Sequence, residues 1–321
     1  MAIVAGIDEA GFGPVLGPLV VSTSVFDVPD ELADVSMWKL LSGIVSRATS
    51  KKRHLIPIAD SKKLYSGLRS EKGLEHLERG VLCMLASANK RPITLQQLVD
   101  FVAPSAWQRA CEELWNGDLP LPHELEPSGV LVMGNSLAGR MQKVGIKLLD
   151  LRCEPVFAGE YNRLVAATNN KSVLLFDIAS RLFVRVWRLT PPGQLAKLYV
   201  DHQGGRVHYL QGLQRVFAGC QFKVVEECET LSAYRITGDR EMEIVFAVKA
   251  EDQHLPVALA SMASKYLREL FMAVFNRFWQ QHLPDLAPTA GYYSDGSRFY
   301  LEIQEVARRL GVEEQSIYRS R

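Results

Sequence analysis

The chain has 321 residues, with 37 Lys and Arg against 36 Asp and Glu, and is 47% hydrophobic and 23% charged. That is enough apolar material for a sizeable core in one large or two ordinary domains. A net charge of +1 excludes the bulk signature of a nucleic-acid-coating protein or of an acidic disordered chain, and leaves room for a local basic groove. The cysteines Cys83, Cys111, Cys153, Cys220 and Cys228 form no C-x-x-C pair, which fits reduced thiols better than a disulfide framework or a zinc ribbon. No apolar run reaches the ~18 residues of a membrane helix, and no basic segment precedes the first apolar stretch. The expectation is a soluble cytoplasmic protein with no membrane partner.

In chain order, residues 3–8 and 18–26 are β-branched runs joined by a Gly/Pro-rich link, which predicts two paired strands with acids at their turn. Residues 47–63 carry Arg47, Lys51, Lys52, Arg53, Lys62 and Lys63 against the single acid Asp60, a local positive loop. From 73 to 150, helical stretches such as 95–115 alternate with the breakers Asn116-Gly117, Pro120, Pro122, Pro127, Gly129 and Gly134. This pattern reads as an inserted, mainly helical element between 1–72 and 151–321. Helical spacing over 172–189 is stopped by Pro191-Pro192-Gly193, and a short strand, 198–201, ends in an acid. Strands are expected at 222–226, 232–237 and 243–250. The strongest helix, 256–280, repeats Leu259, Met262, Ala263, Tyr266, Leu270, Val274 and Phe278 at three and four, and a last helix covers 299–310. Mixed strands and helices make the class α/β.

The chemistry concentrates in the opening segment, Gly6-Ile7-Asp8-Glu9-Ala10-Gly11-Phe12-Gly13-Pro14-Val15-Leu16-Gly17-Pro18. A dinucleotide loop fails here. Gly17 lies one residue too far for G-x-G-x-x-G, and Asp8 and Glu9 would repel a pyrophosphate. Adjacent carboxylates beside glycines suit a hard divalent cation, which takes oxygen ligands and admits phosphate as a further one. On a regular strand the two acids point to opposite faces, so the glycines would have to break the strand for both to line one site. A solvated acidic turn is the alternative for this motif alone. His202 and His208 are set aside, because a hard-cation site seldom uses imidazole. Arg181, Arg185 and Arg188 form a helical stripe that reads as a solvated face, with Asp177 pairing Arg181.

The opening motif is followed by Asp60-Ser61-Lys62-Lys63-Leu64, Val200-Asp201, Val248-Lys249-Ala250-Glu251 and Ala260-Ser261-Met262-Ala263-Ser264-Lys265-Tyr266-Leu267-Arg268-Glu269. Gly291-Tyr292 and Leu310-Gly311 with Ile317-Tyr318-Arg319-Ser320 close the series. In that order these motifs resemble the type 2 ribonuclease H family (ribonucleases HII and HIII). The resemblance implies a ribonuclease-H-like mixed β-sheet flanked by helices, with the 73–150 segment as a helical insertion. It implies that Asp8, Glu9, Asp201 and Glu269 bind two divalent cations, Mg²⁺ or Mn²⁺. Two such cations can activate a water and stabilise the leaving 3′ oxygen. It implies hydrolysis of the RNA strand of RNA/DNA hybrids to 5′-phosphate and 3′-hydroxyl ends. Gly11, Phe12, Gly13, Ser61, Lys62, Lys63, Lys265 and Tyr292 would contact the nucleic acid.

Taken from the residues alone, Glu269 is a polar-face acid in a surface pair with Lys265, the lysines are a solvated loop, and Tyr292 is a core edge. Phe12 stands where the family has Arg and cannot donate a hydrogen bond. Glu269 replaces the Asp usual in ribonuclease HII and is similar to the HIII branch, without a separate N-terminal binding domain of the HIII type. Tyr318 replaces a His. Rival readings are a non-catalytic nucleic-acid-binding paralogue and a nuclease of the same fold acting on another structure, such as branched DNA. The oligomeric state is left open.

Overall fold

The β-branched residues of the first 28 positions build two long antiparallel strands, β1 (Ala2–Ala10) and β2 (Leu19–Val28), paired from Ala2 with Val28 to Ala10 with Val20. The computed structural model describes residues 1–49, 54–67, 73–113 and 115–320. Lys51, Lys52 and Arg53 of the basic loop therefore lie outside the described residues. After a small parallel pair, β3 (Val45–Ser46) and β4 (Ile56–Pro57), come β5 (Lys147–Val156), β6 (Leu195–Asp201), β7 (Gln221–Glu227), β8 (Leu231–Thr237) and β9 (Glu241–Ala247). The main sheet has seven strands in the order β5-β2-β1-β6-β9-β8-β7. Its centre, β1, β6 and β9, is parallel, and every other pairing is antiparallel.

Strand alternation sends Ile3, Ala5 and Ile7 to one face, where they pack with Leu175, Ile178, Leu182 and Phe183 of the Lys171–Leu189 helix. Val4, Gly6 and Asp8 face the other way, toward the Leu255–His282 helix. That helix touches β1 at the limit of contact. A Cβ on Gly6 would lie 2.2 Å from the Val257 nitrogen and 2.3 Å from the Pro256 carbonyl carbon. Only a glycine admits this approach. Ser24 Oγ donates to Pro256 O at 2.8 Å and Ser264 Oγ to Ser22 Oγ at 2.8 Å, continuing the seam along the helix.

The 73–150 segment is not a separate body. Helices Glu75–Ser87 and Pro127–Lys143 share one core with the long helix, through Leu77, Val81, Leu85, Leu137 and Met262. Glu78 ties the layer together, its buried carboxylate accepting from His123 N (2.6 Å), Glu124 N (2.8 Å), Leu125 N (3.0 Å) and Tyr266 OH (2.6 Å). The segment's last residues, from Lys147, already belong to β5, so the expected boundary at 150 cuts a strand of the main sheet. The expected 95–115 helix is two, Leu95–Val102 and Ala106–Glu112, interrupted at Ser105 in the left-handed region. Arg185 pairs with Asp150 and Arg181 approaches Glu154 at 4.0 Å, so these two arginines of the stripe meet β5 rather than Asp177, while Arg188 is exposed. Among the described residues, no helix is long and apolar enough to cross a membrane.

Gly6→Ala should lower stability by about 1–3 kcal/mol, because backbone must move to admit the methyl; the denaturant midpoint reads this. His254, stacked on Tyr199 with ring centroids 3.6 Å apart, is lowered by burial from 6.5 to about 4. Its neutral form is preferred in the folded state. The unfolded chain therefore takes up the proton first, and stability falls as pH drops from about 6.5 to about 4. His254→Phe keeps the stack and should flatten that part of a melting-temperature profile.

Candidate active site

Three neighbouring parallel strands deliver carboxylates at their C-terminal ends, the end at which open α/β sheets place their ligands. Ile7 of β1 pairs with Val200 of β6, so the next residues, Asp8 and Asp201, sit side by side. Asp201 in turn aligns with Ala247, the last residue of β9. The chain then turns through Lys249, in the left-handed region, into the short Ala250–Asp252 helix that carries Glu251. Ala250 N donates to Asp201 Oδ1 at 3.1 Å, fixing this turn against β6.

β1 stays regularly paired through Ala10, so the expected break does not occur and Asp8 and Glu9 leave the strand on opposite faces; what links Glu9 to Asp8 and Asp201 is their charge. Burial raises Asp8, and the charges of Glu9 and Asp201 add to it, opposed by hydrogen bonds from Ser261 and from the Glu9 amide (2.7 Å). Glu9 is raised to about 7 by burial and then by Asp201, with Lys62 opposing. Glu251 is also raised to about 7, by burial and then by Asp201, with Asp60 contributing. Like charges held near one another resist ionising together. Glu251 Oε2 is buried without a hydrogen-bond partner, an unmet acceptor beside Asp201.

Glu269 does not join them. It is 1% exposed and its oxygens are filled, Oε1 by Lys265 Nζ and Arg268 Nη1, both at 2.8 Å, and Oε2 by Tyr65 OH at 2.7 Å. Burial raises its pKa, but Arg268 and Lys265 outweigh that and hold it below the ordinary value. The structure thus does not bring Glu269, expected as the fourth metal ligand, together with the other three acids, and its pair with Lys265 is buried rather than at the surface. Arg268 carries the link onward to Leu16 O (3.2 Å) and Ala290 O (2.9 Å).

The expected substrate residues divide in the same way. Lys62 lies among the acids. Partial burial lowers it, yet Asp60, Asp8, Glu251 and Asp201 raise it overall. Asp60 caps the Ser61–Leu64 helix by accepting from Lys62 N at 2.9 Å. Ser61 is turned inward, accepting from Ser261 Oγ at 3.0 Å. Lys63 is exposed and paired with Asp252. Lys265 is buried, with its ammonium 4.3 Å from the Tyr65 ring centre. Gly11 takes φ +90° against Arg268, Phe12 packs partly buried on the core beneath the Lys171–Leu189 helix, and Gly13 faces open space. Tyr292 is exposed at the start of the Tyr293–Arg309 helix. The sequence signal for Glu251 is its place as the acid of Val248-Lys249-Ala250-Glu251.

The donors Asp8, Glu9, Asp201 and Glu251 are all hard oxygens, and the unmet Glu251 Oε2 fits a hard divalent cation. Among the described residues, no three His, Cys, Asp or Glu side chains close into a metal cage.

No protein-family model matches the sequence, and no curated protein matches it. Solved structures similar to the chain include ribonuclease HII from Archaeoglobus fulgidus, in a complex with PCNA, at 16% identity and TM-score 0.43, covering 99% of this chain and 94% of that one. Ribonuclease H2 from Pyrococcus horikoshii OT3 is 17% identical with TM-score 0.39, over 98% and 92%. Bst-RNase HIII in complex with Mn²⁺ is 14% identical with TM-score 0.45, over 99% and 66%. The likeness is distant.

Two substitutions separate the two kinds of acid. Asp201→Asn keeps the acceptor for Ala250 N and removes repulsion, so the metal-free protein should melt higher at neutral pH. Glu269→Gln leaves Lys265 and Arg268 buried without their anion and should cost about 3–5 kcal/mol in chemical denaturation.

Proposed function

We propose that this chain is a divalent-cation-dependent endonuclease that cuts the RNA strand of RNA/DNA hybrids, leaving 5′-phosphate and 3′-hydroxyl ends. Asp8, Glu9, Asp201 and Glu251 are its metal-binding acids. The observation that carries the reading is the meeting of these carboxylates at the ends of β1, β6 and β9, where burial and then neighbouring acids raise Asp8, Glu9 and Glu251, and one Glu251 oxygen is left unmet. Mg²⁺ or Mn²⁺, when bound, supplies an activated water and a counter-charge for the leaving 3′ oxygen.

The protein's own groups do the rest. Lys62 holds a non-bridging phosphate oxygen near the acids, and the Asp60 cap keeps its helix in place. Ser261 and the Glu9 amide orient Asp8. Tyr292 offers an exposed ring for stacking on a sugar or base. The preference for a ribose-containing strand is supported by the opening motif and by Asp60-Ser61-Lys62-Lys63-Leu64.

The test incubates the protein with Mg²⁺ or Mn²⁺ and, separately, a uniform hybrid, a duplex with one embedded ribonucleotide, double-stranded RNA and branched DNA. Hybrid cleavage is expected, falling by about 100-fold or more in Asp8→Asn and Glu251→Gln. An intact hybrid, or equal cleavage by Asp8→Asn, would contradict the reading. Because Phe12 lacks a donor, the protein should discriminate a single embedded ribonucleotide less well than Phe12→Arg does; equal ratios of cleavage rates would refute this.

A further inference from the structure

A guanidinium drawn partly out of water is ordinarily matched by a carboxylate, because an uncompensated charge is costly to desolvate. Arg206 has no such match. It is half-buried over two aromatic rings, 5.0 Å from the Phe176 ring centre and 5.7 Å from that of Tyr209. Its Nη2 donates to Ser172 O and Ser172 Oγ, both at 3.1 Å. Among the described residues no carboxylate pairs with it, and Nε and Nη1 have no protein acceptor. Neither nitrogen is enclosed, so both open on solvent. They carry most of the N–H donors of the side chain. Burial lowers the Arg206 pKa; Tyr209 and a more distant Asp177 oppose this, and Arg215 adds to it.

The platform beneath the cation is rigid and borders the acid cluster. Phe176 and Tyr209 are buried in one core, and Tyr209 stacks on Phe246 with ring centroids 3.6 Å apart. Arg206 belongs to the loop that leaves β6 at Asp201. Gln203 N donates to Tyr209 OH at 3.3 Å and Tyr209 N to Tyr234 OH at 3.0 Å, which fixes both ends of that loop. Tyr209 feels the charges of Asp201 and Glu9. Glu9 leaves β1 on the face that Ile7 shares with Phe176 and Tyr209. Lys62 stands among the acids on the Ser61–Leu64 helix, and Arg206 stands on the Glu9 side, outside every motif of the opening series.

We propose that Arg206 is a phosphate-binding residue whose open Nε and Nη1 receive one backbone phosphate of the nucleic acid on the Glu9 side of the acid cluster. The proposal rests on the nuclease reading for the identity of its anion, and goes beyond it by adding a contact on a second side of the site. Two hydrogen bonds and two rings hold the head before the ligand arrives, so little side-chain freedom is lost on binding. The phosphate supplies the counter-charge that the chain itself withholds.

The test compares wild type, Arg206→Gln and Arg206→Lys, with folding checked by thermal melting and Ca²⁺ in place of Mg²⁺. Anisotropy titrations measure affinity for an RNA/DNA hybrid between about 50 and 200 mM salt. For Arg206→Gln the slope of log affinity against log salt should be shallower by about 1, and affinity should fall about 10-fold. Arg206→Lys keeps the charge and should keep the wild-type slope with weaker binding. Single methylphosphonates, which are neutral, are then walked along each strand. At one position wild-type affinity should fall while that of Arg206→Gln does not, and the strand bearing it identifies the phosphate as RNA or DNA. Equal slopes and affinities in wild type and Arg206→Gln overturn the proposal and leave the nuclease reading standing. An Arg206→Lys slope as shallow as that of Arg206→Gln shows lost packing instead of a lost phosphate contact and overturns it too. A wild type that binds no hybrid refutes both.

Discussion

The close approach of the long helix to β1 at Gly6 is the constraint on which the site depends. With Pro256 and Val257 lying where a Cβ would be, the height of the helix above the sheet is set at its first turn. Further along, Ser264 Oγ reaches Asp8 O at 3.1 Å and Ser261 reaches Ser61. The same helix begins just after Glu251, so its seating also fixes the turn that brings this acid back to Asp201. A wider gap would loosen the serine contacts and the acid cluster together, because close-packed interiors transmit displacement rather than absorb it.

Charge is arranged in two opposite ways a short distance apart. Around Glu269, the cations Lys265 and Arg268 with the Tyr65 hydroxyl satisfy one carboxylate, forming a brace between the Ser61–Leu64 region and the glycine turn in which cations outnumber the acid. At the strand ends, acids outnumber their partners, and Lys62 offsets only part of the repulsion. The first arrangement stabilises the fold. The second holds acids in a state that a cation would relieve, the kind of local conflict that marks functional sites. A net charge of +1 sums over both and describes neither.

Much of this was legible in the sequence for physical reasons. The β-branched runs of β1 and β2, the 3.6-residue periodicity of the long helix and the stop at Pro191-Pro192-Gly193 are local signals, and the elements follow them within a few residues. β5 was not legible, because Lys147–Val156 gains its strand identity from pairing with the distant β2. The choice between Glu251 and Glu269 was hidden for a similar reason. Both acids sit in motifs, and only three-dimensional pairing shows that Lys265, Arg268 and Tyr65 occupy one of them while the other lies beside Asp201. The inward turn of Ser61 and the seat of Arg206 on Ser172 are likewise contacts between distant parts of the chain.

The central claim is that Asp8, Glu9, Asp201 and Glu251 form one cation site from which Glu269 is excluded. Calorimetric titration of the wild type and of Glu251→Gln with Mn²⁺ at pH 7.5 tests it most directly. The account predicts saturable Mn²⁺ binding by the wild type and an affinity at least about 10-fold weaker in Glu251→Gln. Equal Mn²⁺ affinity in the two proteins, or no Mn²⁺ binding by the wild type, would contradict it.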